Sequence, residues 1–415
     1  MSRPSERPPL MPLDQALASL LAKATPRLDA ESVSTFEADG RVLAQDVVSG
    51  LTVPPRDNSS MDGYAVRAAD CATAGAVLTV AQRIPAGSVG TPLAAGTAAR
   101  IFTGAQIPDG ADAVVMQEDT GALPEEGSLG LVRIDAIPTA GLWIRRAGED
   151  VAAGDVVLAR GERLTPAALG LAASVGFDRL QVARRPRVVL LSTGDELVMP
   201  GEVAPEAMKP GAIYNSNRFF MRALLTRLGC DVSDLGIVPD RRDATIDALR
   251  TAAEHNDLIV TTGGVSVGEE DHIKAAVEAL GELQLWSLSM KPGKPFAYGR
   301  IGNAHVTGLP GNPVSSFLTF LLLVRPFLLT LQGATRVAPE PVAMRADFDW
   351  PRADRRREFL RARRNAAGGL DLFPNQSSGV LTSAVWGDGV IDTPAGQPFK
   401  KGDTVQFIPF ASLLA

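Results

Sequence analysis

Apolar residues along the chain change period several times, and each change marks a different kind of element. Near the start, "LDQALASLLAKA" carries Leu13, Leu17, Leu20 and Leu21 at helical spacing and predicts an amphipathic helix. From about residue 46 to 137 short β-type runs alternate with Gly/Pro turns, as in "AVLTVAQRIPAGSVG", "AARIFTGAQIPDGADAVVMQED" and "GLVRI". This texture predicts a small β-rich domain. The β pattern continues through "IRRAGEDVAAGDVVLARGERL" and then gives way to a helix, "TPAALGLAASVG", with Thr165 as its N-cap and Pro166 in the first turn.

From about residue 187 to 331 strands and helices alternate. "RVVLLST" is an unbroken apolar run, as a strand buried on both faces requires. A helix over "NSNRFFMRALLTRLG" ends at Gly229 and is followed by a strand, "DVSDLGIV". The helix "DATIDALRTAAEH", the strand "DLIVTT" and the helix "DHIKAAVEAL" complete the alternation. Next, "FAYGRI" and "AHVTGLP" read as a hairpin pair. The expectation is an open, mainly parallel α/β sheet, in which ligands sit beyond the carboxyl ends of the strands. "FLTFLLLVRPFLLTL" is apolar but interrupted by Arg325 and Pro326, so it reads as a helix buried in a core or interface, too short to span a bilayer. Beyond it, "REFLRARRNAAGGLDLFP" and "GDTVQFIPF" return to β texture and predict a small C-terminal barrel or sandwich.

The bulk numbers narrow the class. A chain of 415 residues predicts two to four domains, and 45% hydrophobic with 21% charged residues is ordinary for a globular protein. Net charge of −6 argues against nucleic acid as the main partner. Two distant cysteines, Cys71 and Cys230, and three histidines argue against a structural zinc site. The Pro-rich start has no apolar segment of the signal-peptide kind, so the expected location is cytoplasmic.

Candidate chemistry gathers where predicted strands end. "LLSTGDEL" brings Thr193 and Gly194 to a strand end, followed by Asp195 and Glu196. "TTGGVSVGEED" offers Gly263, Gly264, Gly268 and Ser266 as an anion nest, then Glu269, Glu270 and Asp271 before a helix. In "MKPGKPFAYG", prolines stiffen a loop holding Lys291 and Lys294, which aims two ammonium groups at one place. "GLPGNPVSSF" puts Ser315 in the first turn of a helix, where N–H groups attract anions and Asn312 can cap. Each feature alone has a plain structural explanation as a cap, a turn or solvated charge. Together they place carboxylates and anion-binding groups at one sheet edge, an arrangement that fits Mg²⁺ between carboxylate and phosphate.

These segments, with "DNSSMDGYAVR" and "IFTGAQIPDGADAVVMQED" upstream, resemble the MoeA family of molybdopterin molybdenumtransferases, whose eukaryotic relative is the gephyrin E domain. The resemblance implies insertion of molybdenum from molybdate into adenylylated molybdopterin with release of AMP, the final step of molybdenum cofactor biosynthesis. It implies an α/β multidomain fold: a molybdopterin-binding α/β domain at 184–332, a small β-rich domain at 51–138 and a C-terminal β-barrel domain at 333–415. Residues 1–50 and 139–183 would form an elongated linker and dimerisation domain. It further implies Mg²⁺ and a homodimer whose active site is shared between subunits. A molybdopterin adenylyltransferase and molybdoenzyme maturation proteins would be its partners, with no nucleic acid and no membrane.

By position, the resemblance assigns catalysis to Asp62, Glu196, Asp271, Lys291 and Lys294, with Glu196 and Asp271 as metal ligands. Asp62 and Thr103 would look toward the partner's site. Asp150 and Asp240 match further acidic positions, and Thr193, Gly194, Gly263, Gly264, Ser266, Pro295 and Ser315 surround the pterin and phosphate. Arg357 in "RREF" and Ser378 in "NQSSG" would add oxyanion contacts. Ser287 stands where some relatives carry a further lysine, which lowers the local positive charge by one. Two other readings compete: a non-catalytic pterin-binding scaffold, and a nucleotide-cleaving enzyme of the CinA-like kind that shares the "STGDEL" start.

Overall fold

The computed structural model describes residues 10–25, 27–239, 241–264 and 272–414. Its centre is a six-stranded sheet in the order Asp231–Val238, Arg187–Thr193, Leu258–Thr262, Ala304–Leu309, Pro295–Ile301, Glu282–Ser287. The first four strands are mutually parallel; Pro295–Ile301 runs against them, and Glu282–Ser287 pairs antiparallel to it at the edge. The predicted hairpin is the Pro295–Ile301 and Ala304–Leu309 pair, with Ala297 opposite Gly308. Arg187–Thr193 and Leu258–Thr262 are central, which explains their unbroken apolar runs: alternate residues enter cores on opposite faces.

One face packs Val189, Leu191, Ile259 and Val306 against the helices Arg242–His255 and His272–Leu280. Val188, Leu190, Leu258 and Val260 enter the other face and meet the helix Ser216–Arg227 and the long apolar segment 313–331. That segment is the expected buried helix, and 94% of its apolar window is inside the protein. Pro326 has no N–H to give to the turn before it, and the helix widens to a π-turn over Phe320–Val324 just ahead. By length and composition it is the one helix among the described residues that could cross a membrane.

Helix Leu13–Leu21 buries Leu13, Ala16 and Leu20 in this same core, not in the 1–50 and 139–183 unit with which the resemblance groups it. That unit has its own core of Ala38, Leu43, Leu164, Ala172 and Val182, with Ala30–Ser34 paired to Arg179–Ala183. Its helix Pro166–Ser174 begins as predicted, with the Thr165 side chain accepting from the Ala168 N–H at 3.3 Å. The small β-rich domain is a six-stranded sheet running from Gly63 to Ile134.

The C-terminal domain is a sheet ordered Met290–Lys291, Arg357–Arg364, Gly389–Thr393, Thr404–Pro409, Val342–Arg345, with Leu370–Leu372 beside Arg357–Arg364. Its first strand comes from the lysine loop of the α/β domain. Met290 pairs with Arg357 and Lys291 with Glu358, in parallel. The boundary drawn at residue 332 therefore divides a sheet that is continuous in space.

Candidate functional site

A cavity of about 970 Å³ opens where the parallel strands end and the C-terminal domain meets them. Five segments of the α/β domain reach it. The 193–197 turn brings Thr193 and Glu196; Tyr214 and Asn215 stand at the start of helix Ser216–Arg227; Thr262 and Gly263 end the next strand; Lys291, Pro292, Gly293, Lys294 and Pro295 form one wall; Pro313 and Ser315 begin the buried helix. The C-terminal domain closes the cavity with Arg356, Gln376, Ser377 and Ser378. Among the described lining residues the charged ones are Glu196 against Lys291, Lys294 and Arg356. The described side chains that line the cavity therefore carry a net positive charge, which suits an anion.

Local backbone chemistry explains the aim of these groups. Gly194 has φ of +138°, and a Cβ there would lie 2.5 Å from the Glu196 carboxylate. Only glycine lets the carboxylate fold back over the turn. Gly293 has φ of +115°, and a Cβ would meet Thr319 Oγ1 at 2.6 Å, so the stiff lysine loop lies directly on the buried helix. Asn215 lines the cavity, is 2% exposed, and caps helix Ser216–Arg227 by accepting from the Arg218 N–H at 3.2 Å.

The lysine wall is held from behind. Lys291 Nζ donates to Glu358 Oε1 at 3.1 Å and lies 3.4 Å from Asp354 Oδ2. Asp354 also receives Arg356 Nε and Nη2, each at 3.0 Å. That pairing holds the Asp354 carboxyl well below its ordinary range. Lys294 is exposed and makes no ion pair among the described residues. The loop of Ser377 is anchored by Arg361, 1% exposed, whose Nη2 donates to the Ser377 carbonyl at 3.2 Å. Burial pushes the Arg361 guanidinium down to about 10.

Several sequence expectations meet here, and others do not. Thr193, Glu196, Gly263, Lys291, Lys294, Pro295, Ser315 and Ser378 all line the cavity. Gly194 and Gly264 stand beside it without lining it. Asp271, Ser266 and Asp240 lie outside the described residues. The expected nest is corrected at Gly263, whose N–H donates to the Leu309 carbonyl at 3.1 Å and so serves the sheet. At the helix start, Asn312 makes no side-chain cap, and the Val314 N–H donates to the Ser378 carbonyl at 3.0 Å.

Arg357 is also corrected. It does not line the cavity, because Asp392 and Asp14 occupy its guanidinium. Its neighbour Arg356 is the lining arginine. Successive residues entering a strand point to opposite sides, so a one-residue shift in alignment exchanges their roles. Sequence alone does not single out Asp354, Glu358 and Arg361, because the dense "RADRRREFLRA" run shows charge without showing which groups face one another.

Asp62 and Thr103 lie outside this cavity. They meet each other, with the Thr103 N–H and hydroxyl each 2.8 Å from Asp62 Oδ1. These bonds, the backbone one first, lower the Asp62 pKa, so an exposed and ionised carboxylate projects from the small β-rich domain. Asp150 lines a separate depression with Val53, Pro54, Asn58, Arg145 and Glu149.

No three His, Cys, Asp or Glu side chains among the described residues come together as a metal site. Mg²⁺ is commonly held by one or two carboxylates, with substrate phosphate oxygens and water completing its shell. Glu196, the one carboxylate among the described lining residues, stands beside cationic groups, which fits that kind of recruitment.

Comparison with known proteins agrees with this architecture. Residues 11–176 match the MoeA N-terminal region (domain I and II), 189–330 a probable molybdopterin binding domain, and 343–410 the MoeA C-terminal region (domain IV). A molybdopterin molybdenumtransferase of Haemophilus influenzae is 43% identical over 325 residues, 78% of each chain. Molybdopterin molybdenumtransferase 2 of Mycobacterium tuberculosis is 37% identical over 393 residues, 88% of this chain and 90% of that one. The crystal structure of a molybdopterin biosynthesis MoeA protein from Pyrococcus horikoshii superposes with a TM-score of 0.82 at 30% identity, covering 97% of this chain and 100% of that one. With matched regions in order along nearly its whole length, and a cavity built where they meet, the chain belongs to the MoeA family.

Proposed function

We infer that this chain is a molybdopterin molybdenumtransferase, which inserts molybdenum from molybdate into adenylylated molybdopterin with release of AMP, the final step of molybdenum cofactor biosynthesis. The observation that carries this reading is the cavity at the strand ends, lined by Lys291, Lys294, Arg356 and Glu196. A substrate with a phosphoanhydride at one end and an incoming oxyanion at the other needs positive charge fixed in advance where negative charge gathers. Lys291, Arg356 and Ser378 take the molybdate side. Thr193 and Ser315 offer hydroxyls to the phosphate, and Lys294 stabilises the departing AMP.

Glu196 and Asp271 would hold Mg²⁺ together with substrate oxygens. When bound, the ion supplies Lewis-acid polarisation of the phosphoryl group. The working unit in this reading is a cytoplasmic homodimer in which Asp62 and Thr103 of one subunit face the cavity of the other. Two observations support it: Asp62 is exposed and ionised, and it lies outside its own chain's cavity.

The test is AMP release from adenylylated molybdopterin by the purified chain, with and without molybdate and Mg²⁺. Release that depends on both is expected, and Asp271→Asn should abolish it while leaving the assembly unchanged on gel filtration. Binding of the pterin substrate without any AMP release would overturn the transferase reading in favour of a scaffold.

A further inference from the structure

We propose that Glu358, a buried residue of the C-terminal domain, is a positioning residue that fixes the ammonium of Lys291 for oxyanion binding in the cavity. The inference rests on the proposed function only for the identity of the anion. Its physical basis begins with register. Lys291 lies opposite Glu358 where Met290–Lys291 joins the C-terminal sheet, so the two side chains are cross-strand neighbours.

Glu358 is 1% exposed, and both its oxygens are occupied. Oε1 accepts from Lys291 Nζ at 3.1 Å, while Oε2 accepts from Trp350 Nε1 at 3.0 Å and from the Asp354 N–H at 2.8 Å. The carboxylate is thus itself held in place by two donors of its own domain. Lysine carries three N–H donors. At Lys291, Glu358 takes one and the ion pair with Asp354 at 3.4 Å draws the ammonium the same way, which leaves N–H donors for the cavity that the lysine lines. Asp354 in turn binds Arg356, so positive and negative groups alternate along the wall from Lys291 to Asp354 to Arg356. Without the intervening carboxylates two adjacent cations would repel and swing apart. Tethering also removes side-chain freedom that a lysine would otherwise lose on binding a ligand.

Charge and position make opposite predictions for Glu358, which makes the proposal testable. If the carboxylate only dilutes the positive wall, neutralising it tightens anion binding. If it positions Lys291, neutralising it loosens binding.

The experiment is calorimetric titration of the full chain with molybdate, for the wild type, Glu358→Gln, Lys291→Met and the double variant. Glu358→Gln is expected to weaken binding about tenfold, and Lys291→Met to cost less than about twofold more in its presence, since the two residues act as a unit. In turnover, the KM for molybdate should rise while kcat stays within about twofold, the pattern of lost uniform binding. Trp350→Phe, which removes one donor to Glu358 and leaves Lys291 intact, should weaken binding in the same direction by a smaller factor. It decides the matter if Glu358→Gln does not fold. Tighter or unchanged binding in the Glu358 variant, fully additive losses, no effect of Trp350→Phe, or no molybdate binding by the wild type would each overturn the proposal. Molybdate binding that behaves as expected without AMP release overturns only the transferase reading.

Discussion

Arg357 grips Asp392 with both arms of its guanidinium, Nε to Oδ1 and Nη2 to Oδ2 at 2.6 Å each, and its remaining arm reaches Asp14 Oδ1 at 2.8 Å. The pairing raises the already high pKa of Arg357, so the charge is permanent. This residue ties the first helix to the C-terminal sheet, while Arg356 beside it faces the cavity. The two arginines should therefore fail differently. Arg357→Ala should cost about 2 kcal/mol of unfolding free energy in urea titrations, between the values for exposed and buried pairs, and leave molybdate affinity nearly unchanged. Arg356→Ala should weaken molybdate binding at least about tenfold, as loss of a charged hydrogen-bond donor does, with a smaller effect on unfolding.

Gly194→Ala should damage the site more than the fold. The added methyl would sit 2.5 Å from the Glu196 carboxylate, at a φ of +138° that side chains rarely adopt. Backbone strain of this kind costs about 1–3 kcal/mol. AMP release should drop by at least about tenfold, because the carboxylate must turn away from the cavity. An alanine variant with wild-type turnover would show that the aim of Glu196 is unimportant.

Stability should fall with acid in a window assignable to one side chain. His305 is 2% exposed, and its Nδ1 shares a 2.8 Å hydrogen bond with the Tyr298 hydroxyl. Burial pushes the imidazole down to about 4. Its folded pKa thus lies below the unfolded value of about 6.5. The stabilisation is complete above the unfolded value and drains as pH falls toward 4, since the unfolded chain binds the proton first. Between pH 7 and 5 this group alone should remove about 2 kcal/mol. Urea unfolding of His305→Gln at the two pH values should show a correspondingly weaker acid sensitivity; an unchanged slope would count against the assignment.

A shared site can be tested by mixing. Asp62→Asn and Glu196→Gln should each be inactive alone. If Asp62 serves the neighbouring subunit, refolding the two variants together in equal amounts creates mixed dimers with one intact site. Random pairing makes half the dimers mixed, so about a quarter of wild-type activity should return. No recovery, with mixed dimers demonstrated by mass spectrometry, would place Asp62 and Glu196 in the service of the same subunit.

Much of the α/β domain was legible because its rules are local. Arg187–Thr193 and Leu258–Thr262 are continuous apolar runs, and Thr165–Pro166 is a helix start that needs no tertiary context. The lining lysines were legible for a similar reason: two prolines around Lys291 and Lys294 make a stiff loop wherever it sits. What escaped depends on register between distant segments. Glu358 faces Lys291 only because residues 290–291 pair with residues 357–358, a relationship spanning 67 positions. Choosing Arg356 over Arg357 needs the same knowledge. The Leu13–Leu21 helix shows its apolar stripe plainly, but a stripe does not name the core it enters.

The two-residue strand Met290–Lys291 also bears on how such chains can be recombined. It leaves the α/β unit and becomes the outermost strand of the C-terminal sheet, so the two modules are interlaced at the point where the anion wall is built. A graft that exchanges residues 333–415 for those of a relative would keep the host's lysine strand and import a foreign partner for it. The seam that respects the pairing runs through the lysine loop as well, and that loop would have to travel with the C-terminal domain. Heredity faces the same limit as the engineer: the wall's lysine and its carboxylate are separate in sequence but one unit in exchange.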